Sequence, residues 1–215
     1  MANLPFDAQE RLAMCDLFDE LGADAPTLLN GWTAEDLAAH LVLREHDLIA
    51  GPCLVLPGLF QRFGERRRAK LTRQRQFELL VAQIRSGPPP GFFRIGWVRA
   101  GPSLNEFFVH HEDLRRANGL GPRDSLASAL EEALWRNVCQ GSRYLSRRLR
   151  DIGLEIEWAG TDKRFTVRRA HRGAVLSGRP GELLLYIFGR QAAARVEVTG
   201  PPKAVATFRR TRFGM

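Results

Sequence analysis

Through residue 150 the apolar positions recur at helical spacing; beyond it they alternate. Leu12, Cys15, Leu17, Phe18 and Leu21 follow a spacing of three and four, which predicts a helix over 7–21. Asp7 and Glu10 make a capping-box-like pair at its start, and Gly22 stands where a helix end favours a residue tolerant of positive φ. A second helix opens at Thr33 with Asp36 three residues on, Trp32 and Leu37 placed as a hydrophobic staple, and continues through His40 toward Ile49. Prolines and glycines at 51–64 read as a loop. A third helix is expected over 65–85, ended by Gly-Pro-Pro-Pro-Gly at 87–91. Residues 92–102 fit no single period. A fourth helix carries Glu106 and His110 and stops near Asn118 and Gly119. A fifth covers 125–150, with Leu126, Leu130, Leu134, Val138 and Leu145 on one side.

Alternation then marks strands at 154–158, 165–168 and 195–199. Between them, 179–189 reads as a short buried helix with Pro180 in its first turn and Gly189 at its end, and a last helix is expected over 203–211. No internal repeat is visible. The expected fold class is α+β: a helical bundle over 1–150 and a small α+β domain over 151–215.

Composition narrows this picture little. With 215 residues, 44% hydrophobic and 26% charged, the chain can bury a core and is not of disordered composition. No segment approaches the roughly 18 apolar residues of a membrane span, and the first residues lack a basic region followed by an apolar core, so no membrane segment or secretory leader is expected. Three scattered cysteines argue against a disulfide framework and fit a cytoplasmic protein. The formal charge of +8 invites a nucleic-acid partner. Its arginine runs at 66–68, 147–148 and 209–210 are dispersed, however, and no stretch interleaves basic and aromatic residues as an RNA-binding strand does. An arginine-rich surface is the favoured reading.

The chemistry concentrates in the fourth helix. Glu106 and His110, at i and i+4, share a helix face and can grip one divalent ion together. The spacing alone is common on surface helices. It gains weight from His40 in the second helix, since a bundle core lets residues of neighbouring helices converge. Two imidazoles and one carboxylate leave a position for water or substrate, as a catalytic site requires. Zinc is the favoured ion, although nickel, cobalt, manganese and iron accept such donors. His40 can equally be a core histidine bonded locally. His111 is turned about 100° from His110 and is expected to face elsewhere. Asp113 returns to the ligand face and can hold a ligand imidazole, or pair at the surface with Arg116 or Arg44. Cys15, Cys53 and Cys139 have no histidine near in sequence and read as packing or loop residues. Gly-x-Ser-x-Gly elbows and phosphate-binding glycine loops are absent.

Three blocks in order, 31–45 (GWTAEDLAAHLVLRE), 105–116 (NEFFVHHEDLRR) and 181–190 (GELLLYIFGR), resemble the actinobacterial family related to mycothiol-dependent maleylpyruvate isomerase, within the DinB-like metal-binding superfamily. The resemblance implies a four-helix metal-binding bundle followed by a small C-terminal domain. It implies metal ligands at His40, Glu106 and His110, and a position at which water yields to a thiol, probed best with mycothiol. It is closest to a branch apart from the isomerase proper, so the isomerase substrate does not carry over. Arg190, after Gly189, is placed either to hold a substrate carboxylate in bidentate fashion or to cap a helix C-terminus as a cation. The leading expectation is a metal-dependent, thiol-using isomerase or transferase acting on an electrophile, for which the positive charge suits an anionic one. The alternatives are a non-catalytic metal-binding or interaction protein of the same fold and, less favoured, a basic nucleic-acid binder.

Overall fold

The structure is a computed structural model and describes residues 4–46, 68, 71–72, 76–150 and 152–214. It divides into two compact units, 1–123 and 124–215. The expected loop at 51–64, Cys53, and most of 65–75 lie outside the described residues.

The first unit contains α1 (Phe6–Leu21), α2 (Ala34–His46), α3 (Phe77–Arg85) and α4 (Leu104–Ala117). α1 packs on α3 and α4, and α2 packs on α3. Their apolar faces meet in a core of Met14, Phe18, Leu37, Leu41, Leu80, Ile84, Phe107 and Leu114. α2 begins with the reciprocal cap its sequence predicts: the Thr33 N–H donates to Asp36 Oδ2 at 3.2 Å and the Asp36 N–H to Thr33 Oγ1 at 3.4 Å. α1 does not. It starts at Phe6 behind Pro5, with no side-chain cap. Asp7 and Glu10 turn inward instead, because buried cations need counter-charges more than a helix end needs a cap. Asp7 meets Arg99 at 3.0 Å, and Glu10 meets His111 at 3.0 Å and Arg123 at 2.8 Å.

The ambiguous stretch before α4 is a 3₁₀ turn (Phe92–Arg94), a helical turn (Gly96–Val98) and a π-helix (Arg99–Ser103) containing Pro102. Proline has no N–H to give the regular ladder, and the wider turn accommodates the loss.

Arg11 ties α1, α2, α3 and α4 together. From α1 it donates to both Glu45 oxygens on α2 at 2.6 and 2.7 Å and to the Ile84 carbonyl on α3 at 3.2 Å. Its guanidinium lies 4.0 Å from the centre of the Phe107 ring on α4.

The second unit contains α5 (Ser128–Leu145), β1 (Gly153–Trp158), β2 (Arg164–Arg168), β3 (Gly173–Gly178), α6 (Pro180–Ile187), β4 (Val196–Thr199) and α7 (Pro202–Arg210). The sheet order is β2-β1-β3-β4, with β1 and β3 parallel and the outer pairs antiparallel. The structure is therefore mixed helix and sheet. β3 carries no signal in the sequence strong enough to predict it: Gly-Ala-Val-Leu-Ser-Gly is short and glycine-flanked, yet it is a central strand whose alternate residues Ala174, Leu176 and Gly178 are buried. Next to it Gly200 has φ +135°, and a Cβ there would come 2.7 Å from the Gly173 carbonyl oxygen. α5 packs on α6 and β2, so it belongs to this unit, whereas its amphipathic spacing groups it with a bundle reaching residue 150. An apolar stripe states that a helix is covered, not by what.

Two outcomes are expected in denaturation. Glu45→Ala strands the Arg11 cation and costs about 3–5 kcal/mol, while Arg11→Met with Glu45→Leu recovers most of the loss. A cost below about 1 kcal/mol, as for a surface pair, would contradict this. The second concerns acid. Burial would raise the Glu10 carboxyl, but its hydrogen bond to His111 and the Arg123 cation outweigh that and hold it below its ordinary 4.5. A depressed folded pKa gives stability that is complete above 4.5 and lost as pH falls through the lowered value. Wild type should lose urea resistance faster than Glu10→Gln below pH 4.5, and parallel curves would refute the assignment.

Candidate metal centre

α2 brings His40, and the first turns of α4 bring Glu106 and His110, to one place. His40 Nε2 lies 2.9 Å and His110 Nε2 3.2 Å from the same Glu106 oxygen, Oε1. The three donor atoms are all within 4.8 Å of one another. A tetrahedral ion with bonds of about 2.0–2.1 Å separates its ligands by about 3.3 Å, so this constellation needs little adjustment to hold one. The side chains of His40, Glu106 and His110 retain 13%, 15% and 10% exposure, which makes the site sunken but not sealed.

Each donor has its own support. His110 Nδ1 is 2.8 Å from Asp113 Oδ2, and Asp113 is fully buried. That bond fixes the ring and leaves Nε2 toward Glu106. The His40 ring lies against Trp32, with centroids 5.4 Å apart, and edge-on to His110 at 5.2 Å. Its Nδ1 is buried without a hydrogen bond, so Nε2 carries its polar contact. Trp32 is covered on its face by the Arg68 guanidinium at 4.2 Å, and Arg68 pairs with Asp36.

Arg44 completes the surroundings of Glu106. Its Nε is 3.5 Å from Glu106 Oε2, its Nη2 donates to the Pro102 carbonyl at 3.2 Å, and its guanidinium stands 5.0 Å from the Phe93 ring centre. Sequence reasoning offers Arg44 only as a partner of Asp113. The signal for its actual place is its i+4 spacing from His40, which puts both on one face of α2.

These contacts set the protonation. Burial would raise the Glu106 carboxyl, but Arg44 and the hydrogen bonds from His110 and His40 hold it well below the usual carboxylate range. Burial lowers the His40 pKa, against the pull of Glu106 and with repulsion from His110 and Arg44 adding to it. For His110 burial works in the same direction, but the Asp113 and Glu106 bonds prevail and raise it. The site thus pairs a carboxylate that favours its ionised form with one imidazole whose pKa is lowered and one whose pKa is raised. Two nitrogen donors and an anionic oxygen, each oriented by an outer partner, fit a divalent ion.

The other residues singled out in the sequence are placed as follows. His111 faces α1 and bonds Glu10. Arg190, in the second unit, donates to the Phe188 carbonyl at 2.8 Å just past the end of α6. Burial pushes the Cys15 thiol up to about 12 and the Cys139 thiol up to about 11, so neither is a thiolate near neutral pH. No helix among the described residues is long and apolar enough to cross a membrane.

No protein-family model matches the sequence, and no curated protein matches it. In three dimensions the chain is similar to the crystal structure of a histidine-to-alanine mutant of mycothiol-dependent maleylpyruvate isomerase, with a TM-score of 0.55 and 15% identity over 94% of this chain and 98% of the other. At that identity the likeness establishes a related fold along nearly the whole chain.

Proposed function

We propose that this protein is a divalent-metal enzyme related to the mycothiol-dependent maleylpyruvate isomerases, one that uses a low-molecular-weight thiol in an isomerisation or a thiol transfer. The observation that carries this reading is the convergence of His40 and His110 on one oxygen of an ionised Glu106. These three residues hold the ion, with zinc favoured by the nitrogen-rich donor set. A divalent ion in such a site supplies Lewis acidity, which depresses the pKa of a thiol so that a nucleophile forms at neutral pH.

The chain's own groups divide the remaining work. His40, whose pKa burial lowers, would present Nε2 to the ion in place of its hydrogen bond to Glu106. His110 would hold the ion through Nε2, with Asp113 keeping its ring oriented through Nδ1. The described cysteines, Cys15 and Cys139, have thiol pKa values raised by burial and are not ready sources of the sulfur; the outside thiol, mycothiol, comes from the family resemblance. Arg190 would orient an anionic, electrophilic substrate through its guanidinium. The reading includes a DinB-like four-helix bundle as the metal-binding scaffold and a cytoplasmic setting.

Elemental analysis should find metal in purified wild type near one ion per chain and little in His40→Ala or Glu106→Ala. Asp113→Asn should weaken metal affinity by about 10–100-fold while leaving the fold intact. Calorimetry of the metal-loaded protein should then register mycothiol binding. Wild type that stays metal-free after incubation with zinc, nickel and manganese overturns the proposal. Metal uptake without thiol binding assigns the site to a non-catalytic metal-binding protein.

A further inference from the structure

We propose that Arg44 is a positioning residue that makes Glu106 a one-oxygen ligand and thereby sets which divalent ions the site accepts. The inference rests on the metal reading above and concerns the opposite side of the carboxylate. Both histidine Nε2 atoms approach Oε1, at 2.9 and 3.2 Å, while Oε2 faces Arg44 Nε at 3.5 Å. The carboxylate is divided: one oxygen for the ion, the other for a fixed cation.

Arg44 is itself pinned. Its Nη2 donates to the Pro102 carbonyl inside the π-helix, its guanidinium lies by the Phe93 ring, and its side chain is 9% exposed. Among the described residues its other acidic neighbour is Glu45, whose Oε1 is 4.0 Å from Nη1. Glu45 already accepts two hydrogen bonds from Arg11. If Glu106 turned to chelate an ion through both oxygens, Arg44 would keep its charge, since a guanidinium does not lose its proton in a protein. It would be left buried with only a distant, already engaged carboxylate, and stranding a buried charge is strongly unfavourable. Glu106 is therefore held to one oxygen, and the described residues supply three donor atoms. Such a set favours ions content with low coordination and nitrogen donors, zinc and cobalt, over manganese, which favours octahedral oxygen surroundings and gains from a fourth protein oxygen.

The test uses cobalt(II) as a spectroscopic probe, because the intensity of its visible d–d bands reports coordination number. Full-length wild type loaded with cobalt should show the intense bands of low coordination. Arg44→Met should weaken them and narrow the preference for zinc over manganese, read as the ratio of dissociation constants, by roughly tenfold. Arg44→Lys, which keeps a cation for Oε2, should retain the wild-type bands. Weak, high-coordination bands in the wild type overturn the inference without any variant, as does an Arg44→Met protein that binds cobalt with unchanged bands and selectivity. A lysine variant with the methionine variant's spectrum assigns the effect to packing and also overturns it. Wild type that takes up neither cobalt nor zinc removes the metal reading itself, an outcome distinct from all of these.

Discussion

Helices α1 to α4 of the first unit meet at one buried guanidinium. Arg11 reaches Glu45 on α2, the Ile84 carbonyl on α3 and the Phe107 ring on α4 from its own position on α1. Apolar packing alone tolerates a sliding helix, since one leucine can occupy the place of another. A buried ion pair does not, because every displacement leaves a charge without its partner. Glu45 is followed back along α2 by Arg44 and, one turn earlier, by His40, so fixing Glu45 also fixes the two residues that α2 contributes around Glu106.

The centre itself is a problem of charge balance. An ionised carboxylate among helices needs donors on all sides, and Glu106 receives them from two imidazoles and a guanidinium. The same three partners hold it ionised against burial. Both imidazoles thus face one carboxylate oxygen and the guanidinium the other. The arrangement also bears on the basic character of the chain. Arg11, Arg44 and Arg123 are engaged inside the first unit with Glu45, Glu106 and Glu10, so these pairs cancel and the excess of +8 is carried by other residues.

Local features were legible where local physics decides them. The Thr33–Asp36 cap, the positive φ of Gly22 and the helix over Glu106 and His110 all depend on residues within one or two turns. The Asp7–Glu10 pair shows the limit: its spacing suits a cap, but two distant arginines and His111 claim the carboxylates. β3 and the packing partners of α5 are not legible for a related reason. A six-residue glycine-bounded segment becomes a strand only because β1 and β4 flank it, and an amphipathic helix does not name the surface that covers it.

By itself the sequence determined the donor types and their spacing on α4, the mixed helix and strand character, and the helices of the first unit, because period and capping are short-range properties. Only the tertiary structure decided that His40 comes within 2.9 Å of Glu106 across 66 residues of chain, that Asp113 meets His110, and that Arg44 faces the far carboxylate oxygen. Those outcomes depend on which buried charges find each other once the helices pack, and long-range neutralisation leaves no periodic trace along the chain.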